Sequence, residues 1–89
     1  MHDAWSAMSD ATRREILNKL RSRNMTAGEL ADCFELSKPT ISHHLNILKE
    51  AGLITGEKKA QTITYSLNTT VFQDFLRGIA AFLDKGEEQ

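Results

Sequence analysis

Apolar residues recur at intervals of three and four over the first part of the chain, a spacing that predicts short amphipathic helices. Trp5, Ala7 and Met8 predict a short first helix. A second helix is predicted over residues 10–22, because the N-cap residue type Asp10 precedes an apolar series at helical spacing, Ile16, Leu17 and Leu20.

Start signals predict the next two helices. Thr26 followed by Glu29 forms a capping box, and it begins a third helix over residues 26–34. Ser37 is a further N-cap residue type, and a fourth helix is predicted over residues 38–51. Only a few residues join these two helices, so they must turn sharply relative to each other.

The pattern then changes to alternation, which predicts strands. Strands are expected at residues 53–58 and 62–67, with a hairpin tip at 58–61, and a last helix runs from residue 68 or 69 to about 84. The order is α-α-α-α-β-β-α in a single domain of residues 1–89. This mainly α fold with a β-hairpin is the layout of a winged helix-turn-helix.

The fourth helix divides into an apolar and a polar face. Ile41, Leu45 and Leu48 fall on one stripe, which is expected to face the core. The opposite face carries short hydrogen-bonding side chains in the N-terminal half, the end that enters the major groove in such motifs. The predicted DNA-contacting residues of this helix are Lys38, Pro39, Thr40, Ser42, His43 and Asn46.

The hairpin tip adds basic residues to the predicted DNA surface. Lys58 and Lys59 can bind phosphates on the flank of the reading helix, and Gln61 lies beside them. Residues 37–61 carry four lysines against two glutamates, whereas residues 68–89 carry two basic against four acidic residues. The positive potential therefore lies mid-chain, although the formal net charge is −1. The alternative is that the polar face is simply solvated.

The size and cysteine content of the chain favour stabilisation by a partner subunit over stabilisation by a disulfide. A chain of 89 residues buries a small core, and domains of this size often add a disulfide, a metal or a partner subunit. The single cysteine, Cys33, excludes a disulfide within one chain and fits a reducing, cytoplasmic location. No signal peptide or membrane-spanning run is expected from the sequence.

Neither catalytic nor metal-binding residues are predicted. Adjacent helical residues such as His43 and His44 point about 100° apart, so the pair does not chelate one metal. Ser42 has no orienting carboxylate and no oxyanion donors, so hydrolysis is not expected. His44 is expected to pack at the edge of the core, and Cys33 is expected to be a small buried hydrophobe.

Arg13 and Arg14 have two interpretations from the sequence. They either contact the DNA backbone or hold the fold together by pairing with nearby carboxylates, and the structural role is favoured.

Three segments resemble the ArsR/SmtB family of small bacterial repressors. They are SKPTISHHLNILKEAGLI at 37–54, DATRREIL at 10–17 and TYSL at 64–67, with Ala11 where the family usually has proline. The phrases MTAGELA, SKPTISHHLNILK and YSLNTTVFQD look most similar to the SdpR-type autorepressor branch.

The resemblance implies operator binding by Lys38, Thr40, Ser42 and His43, and a homodimer built from the first and last helices. The last helix supports the dimer independently, because its apolar face is too wide for this small core to cover. The alternative is that this face belongs to the monomer's own core. The predicted interface residues are Trp5, Met8, Phe72, Phe75, Leu76, Ile79 and Phe82.

The chain departs from the family's metal sensors. Where many relatives have a Cys-x-Cys motif at the start of the third helix, this sequence has Thr26 and Gly28, and the last helix contains no histidine. Because of these departures, both of the family's familiar metal sites are expected to be absent, and no metal or cofactor is predicted. For the SdpR-type branch it suggests sequestration by a membrane-embedded partner, as a hypothesis.

Together these features predict a dimeric, sequence-specific repressor that binds an inverted-repeat operator in double-stranded DNA and controls its own gene. Two alternatives remain open at this point. One is a winged-helix module that binds protein instead of DNA. The other is a repressor that senses a metal or a thiol oxidant through an unrecognised site.

Overall fold

The computed structural model describes residues 3–87, and the side chains of residues 86 and 87 are outside the description. Its helices and strands follow in the order α1 Ala4–Ala7, α2 Ala11–Ser22, β1 Met25–Thr26, α3 Ala27–Phe34, α4 Lys38–Glu50, β2 Ile54–Lys59, β3 Thr62–Leu67 and α5 Thr69–Glu87. The fold is a winged helix-turn-helix, as predicted.

The predicted N-caps start their helices. The Asp10 carboxylate accepts from the Arg13 N–H, and the Ser37 hydroxyl accepts from the Thr40 N–H. Thr26 and Glu29 close a full capping box at α3, with the Glu29 carboxylate accepting from the Thr26 N–H at 2.9 Å. These local bonds explain why the helix starts could be predicted from the sequence.

The sheet has three antiparallel strands in the order β1-β3-β2. The sequence predicted only two, because β1 is a two-residue strand without an alternating pattern of its own. Its residues Met25 and Thr26 pair with Tyr65 and Thr64 of the hairpin. This pairing ties the start of α3 to the base of the hairpin.

The core lies between α2, α3, α4 and the base of the hairpin. Its largest fully buried side chains are Ile16, Leu17, Leu30, Ile41, Leu45, Leu48, Leu53 and Ile54. Gly52 follows α4 with a positive φ of 78°, the left-handed conformation in which glycine ends helices most easily.

Two predictions about individual positions are wrong. Cys33 is exposed, not buried, because the buried face of α3 is centred on Leu30 and Ala31 and Cys33 lies to its side. The hairpin tip is narrower than predicted, because β2 continues through Lys59 and only Ala60 and Gln61 connect the strands.

Candidate DNA-binding surface

The fourth helix presents its two faces as the sequence pattern predicted. Ile41, Leu45 and Leu48 are fully buried. The residues on the opposite face and at the helix start, Lys38, Pro39, Thr40, His43 and Asn46, are exposed, and Ser42 is half-buried. The core therefore fixes which side of α4 faces outward, and that side carries hydrogen-bonding groups.

Ser37 organises the first turn of α4. Its Oγ accepts from the Thr40 N–H at 3.3 Å and lies 2.9 Å from Thr40 Oγ1. Pro39 fits this turn because its missing N–H would have no helical partner there. The Thr40 side chain is thus held close to the cap, whereas the exposed His43 ring in the next turn has its centroid 5.9 Å from that of His44.

The two adjacent histidines have different environments. His43 is exposed, while the His44 side chain is only 14% exposed and lies between α2 and α4. His44 Nδ1 is 3.3 Å from Arg13 Nη1 and 3.9 Å from Asp10 Oδ2. Since a guanidinium only donates, Nδ1 accepts and the ring proton lies on Nε2. Burial lowers the pKa of His44, and the nearby Asp10 carboxylate opposes this only partly.

Arg13 and Arg14 hold α1 in place. Arg13 Nε donates to the Ala7 carbonyl at 2.8 Å, and Arg14 Nη1 donates to the Met8 carbonyl at 2.7 Å. The favoured structural role is what the geometry shows, but the partners are backbone carbonyls at the end of α1, not the expected carboxylates. These carbonyls are the groups that a short helix leaves without intrahelical partners.

The hairpin extends from the body as a wing whose basic residues are exposed. Lys58 and Lys59 are the last two residues of β2, where they pair with Ile63 and Thr62 of β3. Gln61 lies in the two-residue connection between the strands. Because side chains alternate along a strand, the two lysines point to opposite faces of the hairpin. The Lys59 ammonium is 3.7 Å from Glu57, with both side chains mostly exposed.

Lys38 has a neighbour that the sequence did not indicate. A Cβ added at Gly28 would lie 3.3 Å from Lys38 Cε and 3.8 Å from Nζ, so the lysine chain crosses the first turn of α3. Sequence reasoning missed this contact. The only signal is a glycine in the first turn of a helix, where a larger residue would ordinarily be favoured.

A second surface is apolar and lies on α1 and α5. Trp5 is 61% exposed, Phe82 72% and Leu76 45%. Of the other predicted interface residues, Met8, Phe72, Phe75 and Ile79 are half-buried. The Trp5 and Phe75 rings meet edge to face with centroids 5.1 Å apart, so the two helices form one continuous apolar surface.

Within residues 3–87, no group of three or more His, Cys, Asp or Glu side chains is placed to hold a metal ion. None of the helices described there combines the length and apolar character that crossing a bilayer requires.

Residues 10–55 match the family model described as bacterial regulatory protein, arsR family. The transcriptional repressor SdpR of Bacillus subtilis (strain 168) is 52% identical over 98% of this chain and 97% of its own. The arsenical resistance operon repressor of Staphylococcus aureus is 33% identical over 81% of this chain and 69% of its own.

The fold is equally well represented among solved structures. A crystal structure of a possible transcriptional regulator for arsenical resistance superposes with a TM-score of 0.84. That protein is 30% identical, and the match covers 92% of this chain and 85% of the other.

Proposed function

Since this chain belongs to the ArsR family of bacterial regulatory proteins, we propose that it is a dimeric transcriptional repressor that reads an inverted-repeat operator through α4. The observation that carries this proposal is the outward face of α4. The buried stripe of α4 fixes the orientation of the helix, and the exposed face of α4 carries an imidazole, an amide and hydroxyls next to a lysine.

The side chains on that face suit base recognition in the major groove. His43 can donate to or accept from a base edge, and Asn46 has the amide that pairs with adenine. Thr40 and Ser42 offer short hydroxyls near the N-terminal end of the helix. Their length lets the helix approach the bases closely, which longer side chains would prevent.

The lysines bind the DNA backbone in this proposal. Lys38 starts the recognition helix, and Lys58 and Lys59 lie near the end of the wing with Gln61. Each lysine that neutralises a phosphate releases counterions, so these residues set affinity and its salt dependence without reading sequence. In this proposal the chain therefore makes two kinds of contact, base recognition by α4 and phosphate binding by Lys38 and the wing.

The apolar surface of α1 and α5 forms the homodimer in this proposal. Exposed Trp5 and Phe82 continue a face that also includes half-buried Phe75 and Ile79. Aromatic side chains so exposed on a small chain are typical of an interaction site. A two-fold dimer presents two copies of α4, which requires inverted half-sites about 34–36 Å apart.

The repressor role is supported by SdpR, a repressor that matches nearly the whole chain. We propose that the chain represses its own gene, and that a membrane-embedded partner relieves repression by sequestering it. This second statement rests on the resemblance to the SdpR-type branch. Membrane fractionation with and without an adjacent membrane-protein gene tests it, because sequestration moves the repressor to the membrane fraction.

The direct test is footprinting of the purified protein on the DNA upstream of its own gene. We expect one protected region with two inverted half-sites whose centres are one helical turn apart. Random duplex of equal length and charge is the control. Protection of a direct repeat contradicts the two-fold dimer, and equal binding of both duplexes contradicts sequence-specific repression.

A further inference from the structure

Arg13 connects three helices through one planar group. Its guanidinium projects from α2, where Nε donates to the Ala7 carbonyl at 2.8 Å and Nη2 donates to the Ser6 carbonyl at 3.4 Å. The remaining nitrogen, Nη1, lies 3.3 Å from Nδ1 of His44 on α4. Because the guanidinium is flat and rigid, none of these bonds can shift without moving the other two. One side chain therefore joins the end of α1 to the helix proposed to read DNA.

α1 relies partly on this connection for its position. The helix has only four residues, Ala4–Ala7, and a helix this short has little stability without tertiary contacts. It carries Trp5, whose ring packs edge to face against Phe75 of α5 with centroids 5.1 Å apart. Trp5 belongs to the surface assigned above to the homodimer. Release of Arg13 from the carbonyls of α1 therefore disturbs that surface.

The bond between Arg13 and His44 exists only while the imidazole is neutral. A proton on Nδ1 removes the lone pair that accepts from Nη1, and it places a second positive charge beside the guanidinium. The Asp10 carboxylate, whose Oδ2 is 3.9 Å from Nδ1, attracts the protonated ring instead. The ring thus has two alternative partners, Arg13 when it is neutral and Asp10 when it is charged.

The groups around the ring determine which of these states is present. Asp10 favours the protonated ring, whereas Arg13 and the neighbouring His43 disfavour it. The His44 side chain is only 14% exposed, and burial outweighs Asp10, so that the pKa of His44 is lowered. α1 adds no ionisable side chain between Ala4 and Ala7. The neutral ring bonded to Arg13 is therefore the form at neutral pH, and acidification favours the charged ring.

We propose that Arg13 and His44 form a proton-sensitive link between the recognition helix and the homodimer surface, so that acidification weakens the dimer. Protonation draws the ring toward Asp10 and displaces the guanidinium from the end of α1, and the packing of Trp5 in the dimer surface is then lost. The inference rests on the proposed function, because it concerns the dimer proposed there for α1 and α5. Operator binding weakens with the dimer, since only the dimer presents two copies of α4.

Analytical ultracentrifugation of the full chain at about pH 7.5 and about pH 5.5 measures the dimer on either side of the ordinary histidine pKa. We expect the dissociation constant of the parent dimer to rise roughly tenfold on acidification, or about 1.4 kcal/mol shared by the two links of a dimer. DNA is left out, because protonation of the exposed His43 adds positive charge to the DNA-binding face and favours phosphate binding. Circular dichroism at both pH values checks that the chain remains folded.

His44→Asn tests the proton. The asparagine side-chain oxygen can take the place of Nδ1 and accept from Arg13, and the amide does not titrate in this range. We expect the dissociation constant of the His44→Asn dimer to be the same at both pH values. If this variant keeps the parent's loss of dimer on acidification, the titrating group lies elsewhere and the proposal is overturned.

Arg13→Lys tests the planar group. Lysine keeps the positive charge, but a single ammonium cannot reproduce the planar fork that joins His44 to both carbonyls. We expect a weaker dimer at about pH 7.5 and a smaller further loss on acidification, whereas an undiminished loss overturns the link. Arg14→Lys is the matched control, because Arg14 Nη1 donates to the Met8 carbonyl at 2.7 Å and not to His44. It should retain the full pH dependence of the parent.

Failure of the link and failure of the proposed dimer give different results. A parent chain that dimerises equally at both pH values retains the proposed function and overturns the link alone. A parent chain that is monomeric at both pH values contradicts the proposed dimer, and the link fails with it.

Discussion

At the scale of single residues, we assign base recognition and phosphate binding to different side chains. His43→Ala should lower the preference for operator over random duplex by about 1–3 kcal/mol and leave binding to random duplex nearly unchanged. Lys58→Ala with Lys59→Ala should weaken binding to both duplexes alike and reduce the salt slope by up to about two units. A salt series with each variant on both duplexes measures this.

Two outcomes contradict that assignment. If His43→Ala keeps its full operator preference, α4 faces the DNA with another side. If the lysine pair changes neither affinity nor slope, the hairpin does not touch the backbone. Lys49→Ala is a matched control, because Lys49 is exposed at the other end of α4.

His44 predicts a pH dependence of stability. Burial lowers its pKa in the folded chain, so the unfolded chain binds this proton more readily. Stability is therefore complete above about pH 6.5, the ordinary histidine value, and falls as the pH drops below it. The Asp10 pKa is also lowered, first by its bond from the Arg13 N–H, but that contribution is lost only in a more acidic window.

Urea unfolding between pH 7.5 and pH 5 at fixed protein concentration measures this dependence. His44→Gln should flatten the fall in the unfolding midpoint, since the amide carries no titrating proton. His43→Gln removes an exposed imidazole and should retain the fall. Equal slopes in all three proteins would contradict the assignment to His44.

At the scale of elements, the two-residue hairpin connection contains a strained residue. Ala60 has φ of 56°, and it is the first of the two connecting residues, the position where a type II′ turn favours glycine. Ala60→Gly should raise stability by about 0.5–1 kcal/mol, the relief of strain minus the added freedom of the unfolded chain. Thermal unfolding should show a midpoint higher by roughly 2–8 °C.

The reverse replacement, of glycine by alanine at Gly56, should lower the stability of the wing. A Cβ there would lie 3.0 Å from Ile63 Cγ2 and 3.2 Å from Tyr65 Cε1, so Gly56→Ala should destabilise the wing. If Ala60→Gly lowers the midpoint, the positive φ is not a source of strain.

The last helix permits a sharp test of the dimer. Phe82 is 72% exposed in the single chain, so Phe82→Glu leaves the monomer fold intact. Burying the new carboxylates at a two-fold seam should raise the dissociation constant of the dimer at least about a hundredfold, or roughly 3 kcal/mol. Analytical ultracentrifugation measures it. Gln73→Glu adds the same charge on the opposite face of α5 and should remain dimeric.

Local signals and long-range contacts differ in how well the sequence predicted them. The starts of α2, α3 and α4 could be predicted because Asp10, Thr26 and Ser37 bond to residues three positions ahead. β1 could not, because it exists only through pairing with Tyr65 and Thr64 far along the chain. The contact of Lys38 with Gly28 depends in the same way on the angle between α3 and α4.

At the scale of the whole molecule, we expect that metal ions do not regulate DNA binding. The start of α3 has Thr26 and Gly28 in the positions where metal-sensing relatives are expected to have thiols, and α5 has no imidazole. Operator affinity should therefore not respond to zinc, cadmium or arsenite. A metal titration of the purified protein on its operator measures this, and a tenfold loss of affinity, about 1.4 kcal/mol of coupling, would contradict it.

The exposed thiol of Cys33 makes the native chain suitable for distance spectroscopy. It is the single cysteine of the sequence and is exposed at the side of α3. A nitroxide or a fluorophore can therefore be attached there without removing other cysteines. In a two-fold assembly each copy carries one label, and the separation between them reports how far apart the helix-turn-helix units stand. Recording that separation with and without operator DNA shows whether the two units move when they bind.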